Sequence, residues 1–327
     1  RTFPGMALEE GAGAAADGVG GLTQEHFKSL RREGYAIVDG FLDMARAQRL
    51  RNEALEFAKS GKMPAHKFQF GPAHFVKPHI YEADMHDESM QHALPEFADL
   101  LFDDSLVHSV MASFPELQLE VGPRAKTLKL QYNAGSGGCF PWHYDNAGRP
   151  SKRALTCVVY LNPDWEEGHG GELVMCPFLK PQVVVAPLMN RAAFFRSDLV
   201  LHRVLPATEE RVCFTIWLDS SVINRDEDCN LTARHLSSEP EVVDRLRCSP
   251  VQRSVSRAVY AEEYEASLRE CMAQAAGCEE MLQAHAAHVQ QQSSHKQLGP
   301  FLASLRVLKP GAVRSEEEEL TTEEKKK

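Results

Sequence analysis

The stretch that decides the fold is Phe140-Pro141-Trp142-His143-Tyr144-Asp145-Asn146, where a histidine and an aspartate stand two residues apart. Side chains two apart on a β-strand point to the same face, so this spacing predicts that His143 and Asp145 reach one ion. A third ligand is expected from His202, in a second apolar segment far along the chain. Two imidazoles and one carboxylate on one side of an ion leave its other side open, as in non-haem iron(II) sites.

A basic residue supports the same site. Arg211 follows His202 across the turn signal Pro206-Ala207-Thr208-Glu209-Glu210, so we expect residues 199–205 and 211–218 to form a hairpin. A guanidinium inside a barrel is costly unless an anion pairs with it, and a dicarboxylate cosubstrate would be such an anion. Strand alternation predicts one shared face for Arg211, Cys213, Thr215 and Trp217.

Short predicted strands follow one another through the middle of the chain. This density of strands and turn signals indicates a mainly β protein with flanking helices, built on a double-stranded β-helix of the jelly-roll type. The strands are predicted at residues 126–133, 154–161, 172–175, 182–186, 192–195, 199–205 and 211–219.

Five segments are predicted along the chain. They are a flexible leader at 1–21, an N-terminal helical support with a lid loop at 22–117, the core at 118–222, a C-terminal helical region at 223–312 and a charged tail at 313–327. In the support, Thr23 is expected to cap a helix that ends at Arg32, and Asp43 a helix that runs to about Ser60.

Residues 63–92 hold five histidines together with aromatic residues and prolines. Their spacing fits neither a helical histidine pair nor a zinc finger, so we favour a long loop over the mouth of the site rather than a second metal site. Residues 254–291 carry apolar side chains at near-helical spacing, which predicts a long helix weakened at Gly277. This helix either docks on the barrel or carries a partner.

Composition limits the partners and the cellular location that we expect for the protein. The net charge of −10 disfavours a nucleic-acid partner, and no apolar run approaches the length of a membrane span. Eight cysteines occur without CxxC spacing, which predicts reduced thiols and a cytoplasmic or nuclear location.

The region from about Lys126 to Leu218 resembles the 2-oxoglutarate- and Fe(II)-dependent dioxygenases, and within them the prolyl 4-hydroxylase-like branch. The run from Tyr160 to Trp165 is most similar to oxygen-sensing prolyl hydroxylases. The residues that carry the resemblance are Leu130-Gln131-Tyr132-Asn133, His143-x-Asp145, Thr156-Cys157-Val158-Val159-Tyr160-Leu161-Asn162, Gly170-Gly171-Glu172-Leu173, His202, Arg211 and Trp217.

The resemblance implies Fe(II), 2-oxoglutarate and dioxygen as cofactors, with ascorbate as an accessory reductant. It implies that His143, Asp145 and His202 are the catalytic metal ligands. It also implies that Arg211 and Tyr160 hold the distal carboxylate of 2-oxoglutarate. Further cosubstrate-pocket residues would be Tyr132, Thr156 and Trp217, and Arg153 is a candidate for substrate binding.

The function so predicted is hydroxylation of an unactivated C–H bond, in prolyl residues of a protein or peptide. Two alternatives stay open at this point. One is a small-molecule oxygenase, which would need a closed pocket rather than an open groove. The other is a non-catalytic scaffold that acts through its C-terminal helices, and the intact set of His143, Asp145, His202 and Arg211 argues against it.

Overall fold

A computed structural model describes residues 21–70, 73–225, 230–273 and 277–310. The predicted tail, and the predicted leader apart from Gly21, lie outside the described residues. No helix in the part of the chain that the structure describes has the length and apolar character needed to cross a bilayer.

Two antiparallel sheets form the core. Their strands are β1 (Tyr35–Asp39), β2 (Ala65–Phe70), β3 (Ala73–Asp84), β4 (Lys126–Ala134), β5 (Phe140–His143), β6 (Arg153–Tyr160), β7 (Leu173–Pro177), β8 (Val183–Val185), β9 (Arg191–Arg196), β10 (Val200–Val204) and β11 (Glu210–Asp219). The larger sheet has seven strands in the order β1-β9-β6-β11-β4-β3-β2, and the smaller has four in the order β5-β10-β7-β8. This arrangement confirms the double-stranded β-helix predicted from the sequence.

One predicted pairing is wrong. β10 and β11 do not form a hairpin, because β10 pairs with β5 and β7 in the small sheet whereas β11 pairs with β4 and β6 in the large one. His202 and Arg211 therefore approach the same space from opposite sheets. Between the sheets, Val158, Tyr160, Met175, Phe195 and Cys213 form a buried apolar layer.

The segment predicted as a lid loop is instead a β-hairpin. β2 and β3 pair with each other, and β3 adds to the edge of the large sheet beside β4. A strand at the edge of a sheet has unpaired backbone groups. The edge of β4 therefore supplies β3 with backbone hydrogen-bond partners that an isolated loop would lack.

Helices cover the outer face of the large sheet. Asp43 caps the second helix as predicted, since its carboxylate accepts hydrogen bonds from the backbone nitrogens of Ala45 at 3.0 Å and Arg46 at 3.1 Å. Phe97 packs edge-on against Phe214 of β11, with 5.6 Å between ring centroids. These helices are α1 (Gln24–Arg32), α2 (Met44–Lys59), α3 (Glu88–Ala93), α4 (Pro95–Phe102) and α5 (Ser105–Ser113).

A second group of helices covers the small sheet. The long helix predicted over residues 254–291 is three shorter helices, and the break before the last falls at Gly277, where φ is +86°. These helices dock on the core, because Trp142 and Leu201 of the small sheet share an apolar cluster with Val255 and Tyr260. The group consists of α6 (Pro240–Arg247), α7 (Arg253–Val259), α8 (Ala261–Met272), α9 (Cys278–Ser293) and α10 (Leu298–Val307).

The cysteines depart in part from the sequence prediction. Cys139, just before β5, forms a disulfide with Cys271 of α8, so these two thiols are not reduced. Cys157 and Cys213 are free and buried in strands, as predicted. The cytoplasmic or nuclear location and the five segment boundaries stay predictions.

We expect Phe214→Ala to destabilise the protein by about 3–5 kcal/mol, because the substitution opens a cavity where Phe214 is fully buried. Phe102→Ala is the matched control, since the Phe102 side chain is 59% exposed. Urea denaturation followed by circular dichroism measures both. Equal midpoints for the two variants would contradict the burial of Phe214 against Phe97.

Candidate metal and cosubstrate site

Three side chains converge at the open end of the small sheet. His202 of β10 is the direct cross-strand partner of His143 of β5. Oδ1 of Asp145 lies 3.6 Å from Nε2 of each histidine. Among the described residues, these three form the one group of His, Cys, Asp and Glu side chains close enough to share a metal ion.

Asp145 reaches this position differently from the way its spacing suggested. β5 ends at His143, so Asp145 lies in a bend after the strand rather than on the strand face. The bend is held where the backbone nitrogen of Asn146 donates to the carbonyl of Ser197 at 2.9 Å. The three predicted ligands do come together, but Asp145 reaches the site through this bend rather than through strand alternation.

The two histidines are oriented for metal binding by their own backbone. Nδ1 of His143 lies 2.8 Å from the carbonyl oxygen of Pro141, and Nδ1 of His202 lies 3.1 Å from that of Val200. A carbonyl only accepts hydrogen bonds, so each Nδ1 donates to it, and this bond orients Nε2 as the atom that would bind a metal. Both Nε2 atoms face Asp145.

Asp145 is held in its charged form. Thr156 donates its hydroxyl to Oδ2 at 2.7 Å, and Ser197 lies 2.8 Å from the Thr156 oxygen. Burial opposes the charge, but the attraction of His202 and His143 outweighs it, so the pKa of Asp145 lies well below its usual range. The ionised carboxylate is the form of this ligand that metal binding requires.

Arg211 is the main cation of the neighbouring space. It is 2% exposed, and its Nε donates to the carbonyl oxygen of Gly171 at 2.8 Å. Its guanidinium carbon lies 5.1 Å from the ring centroid of Tyr160. The Tyr160 hydroxyl is buried without a hydrogen-bond partner among the described residues, and none of their carboxylates forms an ion pair with Arg211. A buried cation and an orphaned hydroxyl side by side fit an anionic ligand.

Gly171 makes this placement possible. A Cβ atom there would lie 2.6 Å from Cδ of Arg211, and the backbone adopts φ of +76°, which side chains rarely tolerate. The positive φ alone already favours glycine at this position. Its second role, close approach to Arg211, appears only once the fold brings residues 171 and 211 together.

A cavity of about 490 Å³ joins the metal ligands to Arg211. Trp217 and Arg153 line it together, with the guanidinium carbon of Arg153 lying 4.1 Å from the Trp217 ring. The predicted shared face of β11 is confirmed, because Arg211, Cys213, Thr215 and Trp217 all line the cavity.

Two predicted cosubstrate residues lie elsewhere. The side chains of β4 that line the cavity are Lys129 and Gln131, so alternation turns Tyr132 to the opposite face. There its hydroxyl donates to Glu210 at 2.8 Å, and its pKa is raised to about 12 by burial and by that carboxylate. Thr156 bonds Asp145 rather than lining the cavity.

Comparison with known proteins agrees with this architecture. Residues 128–219 match the model of the 2OG-Fe(II) oxygenase superfamily. A crystal structure of prolyl 4-hydroxylases from Phytophthora capsici superposes with a TM-score of 0.76 at 39% identity, covering 88% of this chain and 92% of that one. The chain belongs to the 2OG-Fe(II) oxygenase superfamily.

Two mammalian proteins match over shorter stretches. Egl nine homolog 1 of Rattus norvegicus is 31% identical over 138 residues, which cover 41% of this chain and 39% of the rat protein. Prolyl hydroxylase EGLN3 of Mus musculus is 36% identical over 100 residues, which cover 30% of this chain and 41% of the mouse protein. The matched parts thus span about two fifths of each relative.

We expect Thr156→Val to lower the affinity for Fe(II) by about 10–100-fold, because it removes the hydroxyl that orients Asp145 without changing the size of the side chain. Thr156→Ser keeps the hydroxyl and should bind like the wild type. Anaerobic titration with Fe(II) measures both affinities. Wild-type affinity in Thr156→Val would remove this hydrogen bond from the metal site.

Proposed function

We propose that the protein is a 2-oxoglutarate- and Fe(II)-dependent dioxygenase that hydroxylates prolyl residues in a protein or peptide. The observation that carries this proposal is the pairing, in one cavity, of a three-ligand site with the unmatched cation Arg211. Fe(II) bound there would supply the activation of dioxygen that no side chain can provide.

The residues of the chain would divide the remaining work. His143, Asp145 and His202 would hold the metal on one side, since their Nε2 and Oδ1 atoms already face one point. Arg211 would receive the distal carboxylate of 2-oxoglutarate, with the Tyr160 hydroxyl as a second donor. The aromatic walls of Trp142 and Trp217 would limit the access of water to the reacting atoms.

Access to the metal ligands favours a large substrate. The side chain of His143 is 38% exposed, whereas those of His202 and Asp145 are 5% and 8% exposed. The metal would thus be reached past His143, and the β2–β3 hairpin contributes His66 and Phe68 to the wall of the same cavity. Arg153, stacked on Trp217 in the cavity wall, would bind a carbonyl or carboxylate of the substrate.

The proposal that proline is the target rests on similarity to known proteins. The structure from Phytophthora capsici, 39% identical over nearly its whole chain, is described as that of prolyl 4-hydroxylases. The mouse relative bears the name prolyl hydroxylase. A small-molecule substrate is the competing outcome, because a cavity of about 490 Å³ would also hold one.

The test is to incubate the purified protein with Fe(II), 2-oxoglutarate, ascorbate and a library of proline-containing peptides. We expect peptides that gain one oxygen on proline, with one succinate formed for each. Asp145→Ala should form neither product, because it lacks the anionic metal ligand. Succinate formation stimulated by small molecules and by no peptide would contradict the prolyl assignment.

The cosubstrate anchor can be tested separately. Arg211→Lys keeps the charge but loses the planar fork, so affinity for 2-oxoglutarate should fall by about 1.5–3 kcal/mol. Gly171→Ala should weaken binding in the same direction by displacing Arg211. Titration with Mn(II) in place of iron measures both, and Arg191→Lys, at a surface pair with Asp39, is the control. Unchanged affinity in both site variants would remove Arg211 from the cosubstrate site.

A further inference from the structure

A lysine without an anion lines the active-site cavity. Lys77 of β3 is 4% exposed, and its Nζ lies 3.7 Å from the ring centroid of Phe140, the first residue of β5. Neither a hydrogen bond nor an ion pair joins its ammonium group to another residue in the described part of the chain. The aromatic face offsets part of the cost of burial but accepts no directed hydrogen bond from the three N–H donors.

The carboxylates of the cavity are already engaged. Glu82 accepts from Lys129 at 2.7 Å through Oε1, and its Oε2 lies 3.2 Å from Nδ1 of His66. Asp145 faces the two histidines and accepts from Thr156. Burial accordingly lowers the pKa of Lys77 to about 7, although the charge of Glu82 acts in the opposite direction.

Lys77, whose side chain lines the cavity, lies at an irregularity in the pairing of β2 with β3. Ala65 pairs with Tyr81, but Lys67, two residues on, pairs with Val76, so β3 carries extra residues between these pairs. His79 lies in this bulge with φ of +62°, a conformation that residues other than glycine seldom adopt. Bulges of this kind redirect side chains and cluster near functional sites.

The lining of the cavity carries more basic than acidic side chains, although the chain as a whole is acidic. Its charged lining comprises five basic residues, Lys77, Lys129, Arg153, Arg211 and Arg257, against the two carboxylates Glu82 and Asp145. The whole chain has a net charge of −10. A positive cavity in an acidic protein selects for an anionic ligand. Arg211 and Tyr160 account for one anion, the cosubstrate, and Lys77 stands apart from them beside Phe140 and the hairpin.

We propose that Lys77 anchors a second anion subsite, which binds the carboxylate of an aspartate or glutamate close to the target proline of the substrate. This inference rests on the proposed function and specifies the substrate class as acidic proline-containing peptides. Lys77 lies against Phe140, whose ring centroid is 6.2 Å from that of His143, so a flanking acidic side chain would meet the ammonium group while proline faces the metal.

The test uses fluorescent peptides of equal length with one central proline and either aspartate or asparagine at each flanking position. Fluorescence anisotropy with Mn(II) and 2-oxoglutarate measures binding, and mass spectrometry with Fe(II) measures hydroxylation. For at least one position we expect the wild type to bind the aspartate peptide about 10-fold more tightly or better, as a charge-assisted hydrogen bond predicts.

Three variants test whether Lys77 is the source of the preference for aspartate peptides. Lys77→Met should abolish it, and Lys77→Arg should retain it, because the arginine keeps the positive charge. Lys67→Met is the matched control, since Lys67 is an exposed lysine of the same hairpin, and it should leave the preference intact. Circular dichroism verifies that each variant is folded.

The outcomes separate the two proposals. Hydroxylation of proline without preference for aspartate would overturn the subsite and leave the proposed function standing. Selective binding of aspartate peptides, lost in Lys77→Met but without hydroxylation, would support the subsite and overturn the prolyl assignment. A loss of 2-oxoglutarate affinity in Lys77→Met with peptide selectivity intact would place Lys77 in the cosubstrate site and overturn the inference. Failure to bind any peptide would overturn both proposals.

Discussion

The buried carboxylate of Asp145 is the constraint on which the site depends. Its Oδ1 faces the Nε2 atoms of both histidines at 3.6 Å, and its Oδ2 accepts the Thr156 hydroxyl. These partners come from both sheets, since His202 lies on β10 and Thr156 on β6. A shift of either sheet would leave an unpaired charge in the interior, which costs several kcal/mol, so the closed double sheet and the metal geometry support each other.

Local patterns in the sequence predicted the structure where one strand or helix decides the outcome. Alternation correctly grouped Arg211 with Trp217 on one face, and Asp43 was correctly identified as a helix cap. The boundaries of the seven strands predicted between residues 126 and 219 agree with the structure to within about two residues, the ordinary uncertainty of such limits. In each case the evidence lies within ten residues of the position concerned, where periodicity and capping chemistry operate.

Features set by distant pairing were not predictable in this way. The residues around His202 do not indicate that β10 pairs with β5 rather than with β11, because that pairing depends on His143, which is 59 positions away. Tyr132 was assigned to the cosubstrate pocket by resemblance. The alternation observed along β4 instead directs its side chain away from the cavity, where it bonds Glu210. The bulge at His79 and the approach of Gly171 to Arg211 are likewise products of tertiary contact.

Whether the two atoms of dioxygen are divided between 2-oxoglutarate and a C–H bond of the substrate can be measured with isotopic oxygen. The measurement is the oxygen-18 content of succinate and of the hydroxylated peptide after reaction under ¹⁸O₂ in ordinary water. We expect one labelled oxygen atom in each product for every turnover. A hydroxylated peptide or succinate whose new oxygen comes from water, or products formed equally in the absence of dioxygen, would contradict this expectation.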